Sequence, residues 1–236
     1  MPVILSIETA TNVCSVALSR NGDLISLRES TDRNAHSSVL TTFIEELFTD
    51  TGLKPEDIDA IAVSEGPGSY TGLRIGVATA KGLCYALDKP LIAIPTLQAM
   101  AKGLADLQLQ TPNSELQTLF CPMVDARRME VFSAVFDSRM NEMRETLAEI
   151  ISESSFADLL KDHCIIFAGD GAVKCKPFLT KNKNAIFTDD FSISARYMIP
   201  LAEEKFRAGD FKNLAYFEPF YLKDFIAGKP RVKGLE

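Results

Sequence analysis

Apolar and polar positions recur with two different periods through the first half of the chain. Val3 to Glu8, Val13 to Ser19 and Leu24 to Glu29 are short runs rich in β-forming residues, parted by polar turns such as Arg20-Asn21-Gly22-Asp23, and each predicts a strand. From Asn34 to Asp50 the spacing becomes helical, with Val39, Leu40, Phe43, Ile44, Leu47 and Phe48 on one stripe. Ile58 to Ser64 predicts a fourth strand, Thr71 to Asp88 a second helix, and Leu91 to Pro95 a fifth strand.

The same order then starts again. Thr118 to Asp125, Glu130 to Asp137 and Met143 to Ile150 predict strands, Ser152 to Lys161 a helix, and Ile165 to Ala168 a further strand. Local likeness supports a duplication. Ile4-Leu5-Ser6-Ile7-Glu8 aligns with Cys121-Pro122-Met123-Val124-Asp125, each ending on a carboxylate before a turn. Ala62-Val63-Ser64-Glu65-Gly66-Pro67-Gly68 similarly aligns with Ile166-Phe167-Ala168-Gly169-Asp170-Gly171, and the second copy lacks most of the second helix. A repeated meander with crossover helices resembles the ribonuclease-H-like arrangement duplicated in the actin and sugar-kinase ATPases. The expected fold class is therefore α/β and two-lobed, with the second lobe reduced. The expected division is residues 1–107 for the first lobe and its dimerisation helices, and 108–190 for the second lobe. Residues 191–219 would carry a final helix, Ile193 to Ala208, that crosses back to the first lobe; 220–236 form an extended tail with Lys223, Lys229, Arg231 and Lys233.

The second helix departs most from an ordinary surface element. Leu73, Val77, Ala80, Cys84 and Leu87 form one apolar stripe, and Gly72, Ile75, Gly76, Leu83 and Ala86 another. A helix apolar nearly all round is buried on both sides. One side packs on its own sheet; the other needs either the Asn34–Asp50 helix or a second protein. Gly72, Gly76, Ala80 and Cys84, four apart, would admit a close second helix, so Gly76→Leu is expected to abolish pairing.

Composition narrows the function. The 236 residues carry a net charge of −7, against the basic surface that an RNA-binding chain usually shows. No run approaches the ~20 apolar residues of a membrane helix, and MPVILSIETA lacks the basic start of a signal peptide. The five cysteines are scattered without a C-x-x-C, as expected of reduced thiols in a cytoplasmic protein.

The candidate chemistry is sparse. Ser64 to Gly76 reads Ser-Glu-Gly-Pro-Gly-Ser-Tyr-Thr-Gly-Leu-Arg-Ile-Gly, a tight turn in which Ser69 or Thr71 can cap the following helix. Free amides there suit an anion, but the glycines are misplaced for a phosphate loop and no lysine follows, so a plain strand-to-helix turn stands beside that reading. Glu8 and Asp125 occupy the places where kinases of this fold keep a phosphate-turn aspartate. Their turns, Glu8-Thr9-Ala10-Thr11 and Asp125-Ala126-Arg127-Arg128, lack the glycine that lets a backbone approach phosphate. Glu8, Thr9, Gly66, Gly68 and Asp125 are thus the positions a nucleotide or magnesium ion would meet, and no cofactor is expected. His36 and His163 are the only histidines and do not share a helical metal motif, so no metal site is expected either.

Taken together, these motifs resemble the TsaB family, also called YeaZ. The likeness rests on Ile4 to Glu8 with Thr9 and Thr11, on His36-Ser37, on Gly66-Pro67-Gly68-Ser69-Tyr70-Thr71-Gly72-Leu73-Arg74-Ile75-Gly76, on Lys81-Gly82-Leu83, on Asp125-Ala126-Arg127-Arg128-Met129-Glu130-Val131-Phe132, and on Pro219-Phe220-Tyr221-Leu222. Tyr70 and Lys223 stand where phenylalanine and arginine are usual in the family. The resemblance implies a non-catalytic subunit that pairs with the catalytic subunit TsaD, joined by the ATPase TsaE, in moving a threonylcarbamoyl group onto the adenosine 3′ of the tRNA anticodon. It further implies a homodimer when alone, and contact with tRNA through the complex. The interface it implies, on the two helices of the first lobe, comprises His36, Val39, Leu40, Phe43, Leu47, Tyr70, Gly72, Leu73, Ile75, Gly76, Thr79, Ala80 and Leu83. Alternatives are a stand-alone metallo-glycoprotease-like or kinase-like enzyme, and a direct tRNA contact through the Arg231 tail.

Overall fold

The computed structural model describes residues 1–32, 36–107, 115–189 and 191–223, leaving aside the side chains of residues 36 and 37. It contains two five-stranded mixed sheets with the same internal order. In the first, β3 (Asp23–Ser30), β2 (Cys14–Arg20) and β1 (Val3–Glu8) form an antiparallel meander, and β4 (Ala60–Gly66) and β5 (Leu91–Pro95) extend it in parallel from β1. In the second, β8 (Glu142–Ile150), β7 (Glu130–Phe136) and β6 (Gln117–Asp125) repeat the meander, and β9 (His163–Ala168) and β10 (Ala185–Phe187) repeat the parallel pair. Each copy therefore follows the order 3-2-1-4-5, and the fold is the duplicated α/β architecture expected from the sequence.

The helices explain why central strands such as β1 are buried throughout. Helices α1 (His36–Thr51) and α2 (Tyr70–Leu87) cover the outer face of the first sheet. Leu40, Ile44, Leu47, Val77, Ala80 and Cys84 meet Leu5, Ile7, Val16 and Val63 there. A sheet covered on both faces needs apolar residues at every position rather than at alternate ones, and all six residues of β1 are buried.

Between the sheets the two copies exchange helices. Helix α3 (Thr96–Asp106), which has no counterpart among the predicted elements, leaves the first sheet. Its Leu97, Met100 and Leu104 enter the core under the second sheet with Phe120, Phe132 and Phe136. Conversely, a 3-10 turn at Ala195–Met198 and helix α6 (Ile199–Ala208) follow β10. They place Ala195, Met198, Ile199 and Ala202 against Ile4, Ala60, Ile92 and Ile94 of the first sheet. The predicted single helix from Ile193 is divided because the Ser194 hydroxyl accepts from Arg196 N at 3.2 Å and Pro200, at the start of α6, has no N–H to continue a ladder.

The predicted helix Ser152 to Lys161 is mostly turn. Only α4 (Leu159–Asp162) is helical. The hydroxyls of Ser152, Ser154 and Ser155 bond one another, the Ser155 hydroxyl accepts from Ser152 N, and Phe156 holds φ 62. Serine side chains here compete with the helical ladder and win. On the same outer face, α5 (Ala172–Leu179) is the shortened second helix of that copy.

Candidate functional site

Strand β4 feeds α2 through the Gly66-Pro67-Gly68 turn, whose Gly66–Pro67 peptide is cis. Ser69 caps the helix, its hydroxyl accepting from Gly72 N at 3.2 Å, while Ser69 N donates to the Ala10 carbonyl at 2.6 Å. Thr9 donates its hydroxyl to the Gly72 carbonyl at 2.9 Å. The two turns thus knit together at the edge of the first sheet.

This knitting bears on two readings of the sequence, the phosphate turn and the outer face of α2. A Cβ at Gly68 would overlap Ala10, one at Gly72 the Thr9 carbonyl, and one at Gly66 would lie 2.6 Å from the Phe220 carbonyl oxygen. The chain itself therefore occupies the close approach that these glycines permit. Glu8 and Thr9 are fully buried. One Glu8 oxygen accepts from Ala10 N at 2.6 Å and the other has no partner; burial pushes this carboxyl up to about 7. Glu8 and Thr9 lie inside the turn, and the chain's own backbone takes up the close approach at Gly66 and Gly68. Asp125 differs: it is exposed and accepts from Lys174 and from Arg127 N. Across the cleft between the lobes, a cavity of about 460 Å³ is lined in part by Glu65, Glu142 and Glu145, which would repel a polyphosphate. Among the described residues no group of three potential metal ligands gathers.

The second reading concerns the face of α2. The small-residue stripe does not point outward. Gly72, Leu73, Gly76 and Ala80 are buried within this chain, and a Cβ at Gly76 would overlap the Thr9 hydroxyl. Leu40 and Leu47 are likewise buried, in the core beneath α1. These six are covered by the chain's own sheet and by the Thr9 turn. His36 opens α1, but its side chain lies outside the described residues.

What α2 does turn outward is a row displaced by two residues. Arg74, Ala78, Gly82, Tyr85 and Ala86 are exposed, and Ile75, Thr79 and Leu83 are half-buried beside them. Val39 and Phe43 of α1 are half-buried at the edge of the same core. Gly82 has open space where a Cβ would project, and Tyr85 is 84% exposed. The sequence reasoning missed Ala78 and Gly82, although the spacing Ile75, Ala78, Gly82, Ala86 was available; it lacked the knowledge of which stripe the Thr9 turn would claim. All five cysteines are buried and none is joined in a disulfide. Burial raises the Cys14 and Cys175 thiols to about 11 and Cys84 to about 12, which leaves them inert. No helix among the described residues is long and apolar enough to cross a membrane.

A duplicated β-meander fold with exchanged helices hosts many activities, and sequence likeness narrows the class to the threonylcarbamoyltransferases and their relatives. The family model described as "TsaD: tRNA N6-adenosine threonylcarbamoyltransferase" matches residues 29–227. Within that class, two curated relatives carry the name tRNA threonylcarbamoyladenosine biosynthesis protein TsaB. The one from Haemophilus influenzae is 30% identical, covering 96% of this chain and 95% of that protein. The one from Escherichia coli is also 30% identical, covering 96% of each. The solved structure of YeaZ from Pseudomonas aeruginosa shares the fold with a TM-score of 0.79 at 22% identity, over 94% of this chain and 100% of that one. The chain belongs to the TsaB (YeaZ) family.

Proposed function

We propose that the chain is a non-catalytic subunit of the system that makes threonylcarbamoyladenosine in tRNA, and that it works by docking the outer face of α1 and α2 onto the catalytic subunit TsaD, with the ATPase TsaE joining the pair. One observation carries this reading: α2 presents Ala78 and Gly82 to the outside, flanked by half-buried Ile75, Thr79 and Leu83 and by Val39 and Phe43 of α1. Small residues in a row let a second helix approach closely, and the half-buried apolar rim gains from being covered. The match to the TsaD family model indicates that the catalytic subunit is a related fold, so a surface able to pair with a second copy of this chain can pair with that subunit. The isolated chain is accordingly a homodimer.

A stand-alone kinase-like activity is disfavoured because the Glu8 and Gly68 turns are occupied by the chain's own backbone. Modification of unmodified tRNA by the catalytic subunit and the ATPase, with and without this chain, tests the proposal. Activity should require the chain, and Ala78→Arg should reduce it at least tenfold by blocking close approach while leaving the fold intact. Modification that proceeds equally without the chain, or with Ala78→Arg, overturns the reading.

A further inference from the structure

The β6–β7 turn holds Arg127 at φ 68 and Arg128 at φ 51, the one place among the described residues where two consecutive side-chain-bearing residues both adopt positive φ. Such a conformation costs roughly 1–2 kcal/mol per residue, and glycine or asparagine would relieve it. The surroundings are built to hold it. Asp125 accepts from Arg127 N at 2.9 Å, and Glu130 N donates to the Arg127 carbonyl at 3.2 Å. The Lys174 ammonium bonds Asp125 and the carbonyls of Arg128 and Glu130, the last two at 2.9 and 2.7 Å.

The nearby carboxylates are all occupied. Asp125 is taken by Lys174, Asp170 accepts from Asp125 N at 2.9 Å, and Glu130 is taken by Lys223. Both guanidinium groups are exposed and make no hydrogen bond or ion pair among the described residues. In a chain of net charge −7, strain is thus maintained where it leaves two cations unneutralised.

The turn continues into a belt. Two residues before Lys223, Tyr221 packs on Tyr70 with ring centroids 4.7 Å apart, and the Arg74 guanidinium lies 4.4 Å over the Tyr70 ring. Lys223, paired with Glu130, ties this aromatic cluster to the turn that carries Arg127 and Arg128. Guanidinium forks match phosphate oxygens, and aromatic faces beside them suit unpaired bases. An acidic peptide would use only the charges.

We propose that this belt, centred on Arg127 and Arg128, contacts the phosphodiester backbone of unpaired RNA held by the assembled complex. The inference rests on the subunit role proposed above and assigns this chain a direct part in substrate binding. The test uses the complex with its catalytic and ATPase subunits, labelled substrate tRNA, and fluorescence anisotropy across a potassium chloride series. The double variant Arg127→Asn with Arg128→Gly keeps a turn that tolerates positive φ and removes both charges. It should weaken binding about tenfold or more and lower the salt slope by roughly 0.7 for each lost phosphate contact. Arg127→Lys with Arg128→Lys should retain most of the affinity, and the mass of the complex should not change in any variant. Unchanged affinity and slope in the charge-free variant would overturn the inference. So would its failure to assemble, which would assign the pair to a protein contact. Failure of the wild-type complex to assemble or modify tRNA is a different result, and strikes the subunit role itself.

Discussion

At the residue scale, Glu8 and Gly76 are the positions where the fold constrains chemistry most tightly. Glu8 is fully buried with one oxygen unpartnered, and its pKa rises from an ordinary 4.5 to about 7. The folded state therefore favours the protonated acid. The stability linked to this group is complete below about pH 4.5 and is lost as pH rises through 7, a change of about 3 kcal/mol. Glu8→Gln should match the wild type near pH 4.5 and exceed it by a few kcal/mol at pH 8 in urea titrations; equal stability at both pH values would refute the burial argument. Gly76 makes a complementary case. Because its Cβ position is filled by Thr9, Gly76→Leu should cost about 3 kcal/mol of folding stability through overpacking. Loss of pairing in that variant would then follow from damage to the fold, so thermal melting and oligomer mass should fall together.

At the element scale, the outlines of β1 to β9 and of α1 and α2 were legible from β-rich runs bounded by polar turns and from helical spacing, whereas the three-residue β10 was too short to stand out. The two sheets have the repeated order that the duplicated pattern implied. Other features were hidden for identifiable reasons. Helix α3 begins where β5 ends with no loop between them, so its Thr96 start and its Leu97, Met100, Ala101 and Leu104 spacing ran on from the strand pattern. The Ser152 turns depend on hydroxyl-to-backbone competition that a hydrophobic count does not register. The orientation of α2 was the important loss. Leu73, Val77, Ala80 and Cys84 pack on the sheet, and the Thr9 turn sits so close to Gly72 and Gly76 that it claims their stripe for the inside. The consequence is measurable at Gly82, which is exposed with open space around it. Gly82→Ala should raise the monomer's stability by about 1 kcal/mol through helix propensity, read from denaturation at concentrations too low for pairing. A destabilised variant would show that the position is more crowded than its surroundings indicate.

At the scale of the whole molecule, each lobe completes its core with a helix that follows the other lobe's sheet. Leu97, Met100 and Leu104 serve the second sheet, and Met198, Ile199 and Ala202 serve the first. The exchanged elements meet where a Cβ at Gly103 would press on the Tyr197 ring, 2.6 Å away. The two sheets should accordingly unfold in one transition, and Gly103→Val should destabilise both, seen by hydrogen exchange as lost protection in β1 and β6 together. Loss confined to one sheet would mean that the lobes are energetically separate. This arrangement leaves the α1–α2 face, where Ala78, Gly82 and Tyr85 are exposed, as the surface on which the account depends. Light scattering on the purified chain and its Gly82→Arg variant tests that dependence most directly. The wild type should show twice the 26.0 kDa chain mass, and the variant, equally well folded, the mass of a single chain. A Gly82→Arg protein that keeps the doubled mass would contradict the account.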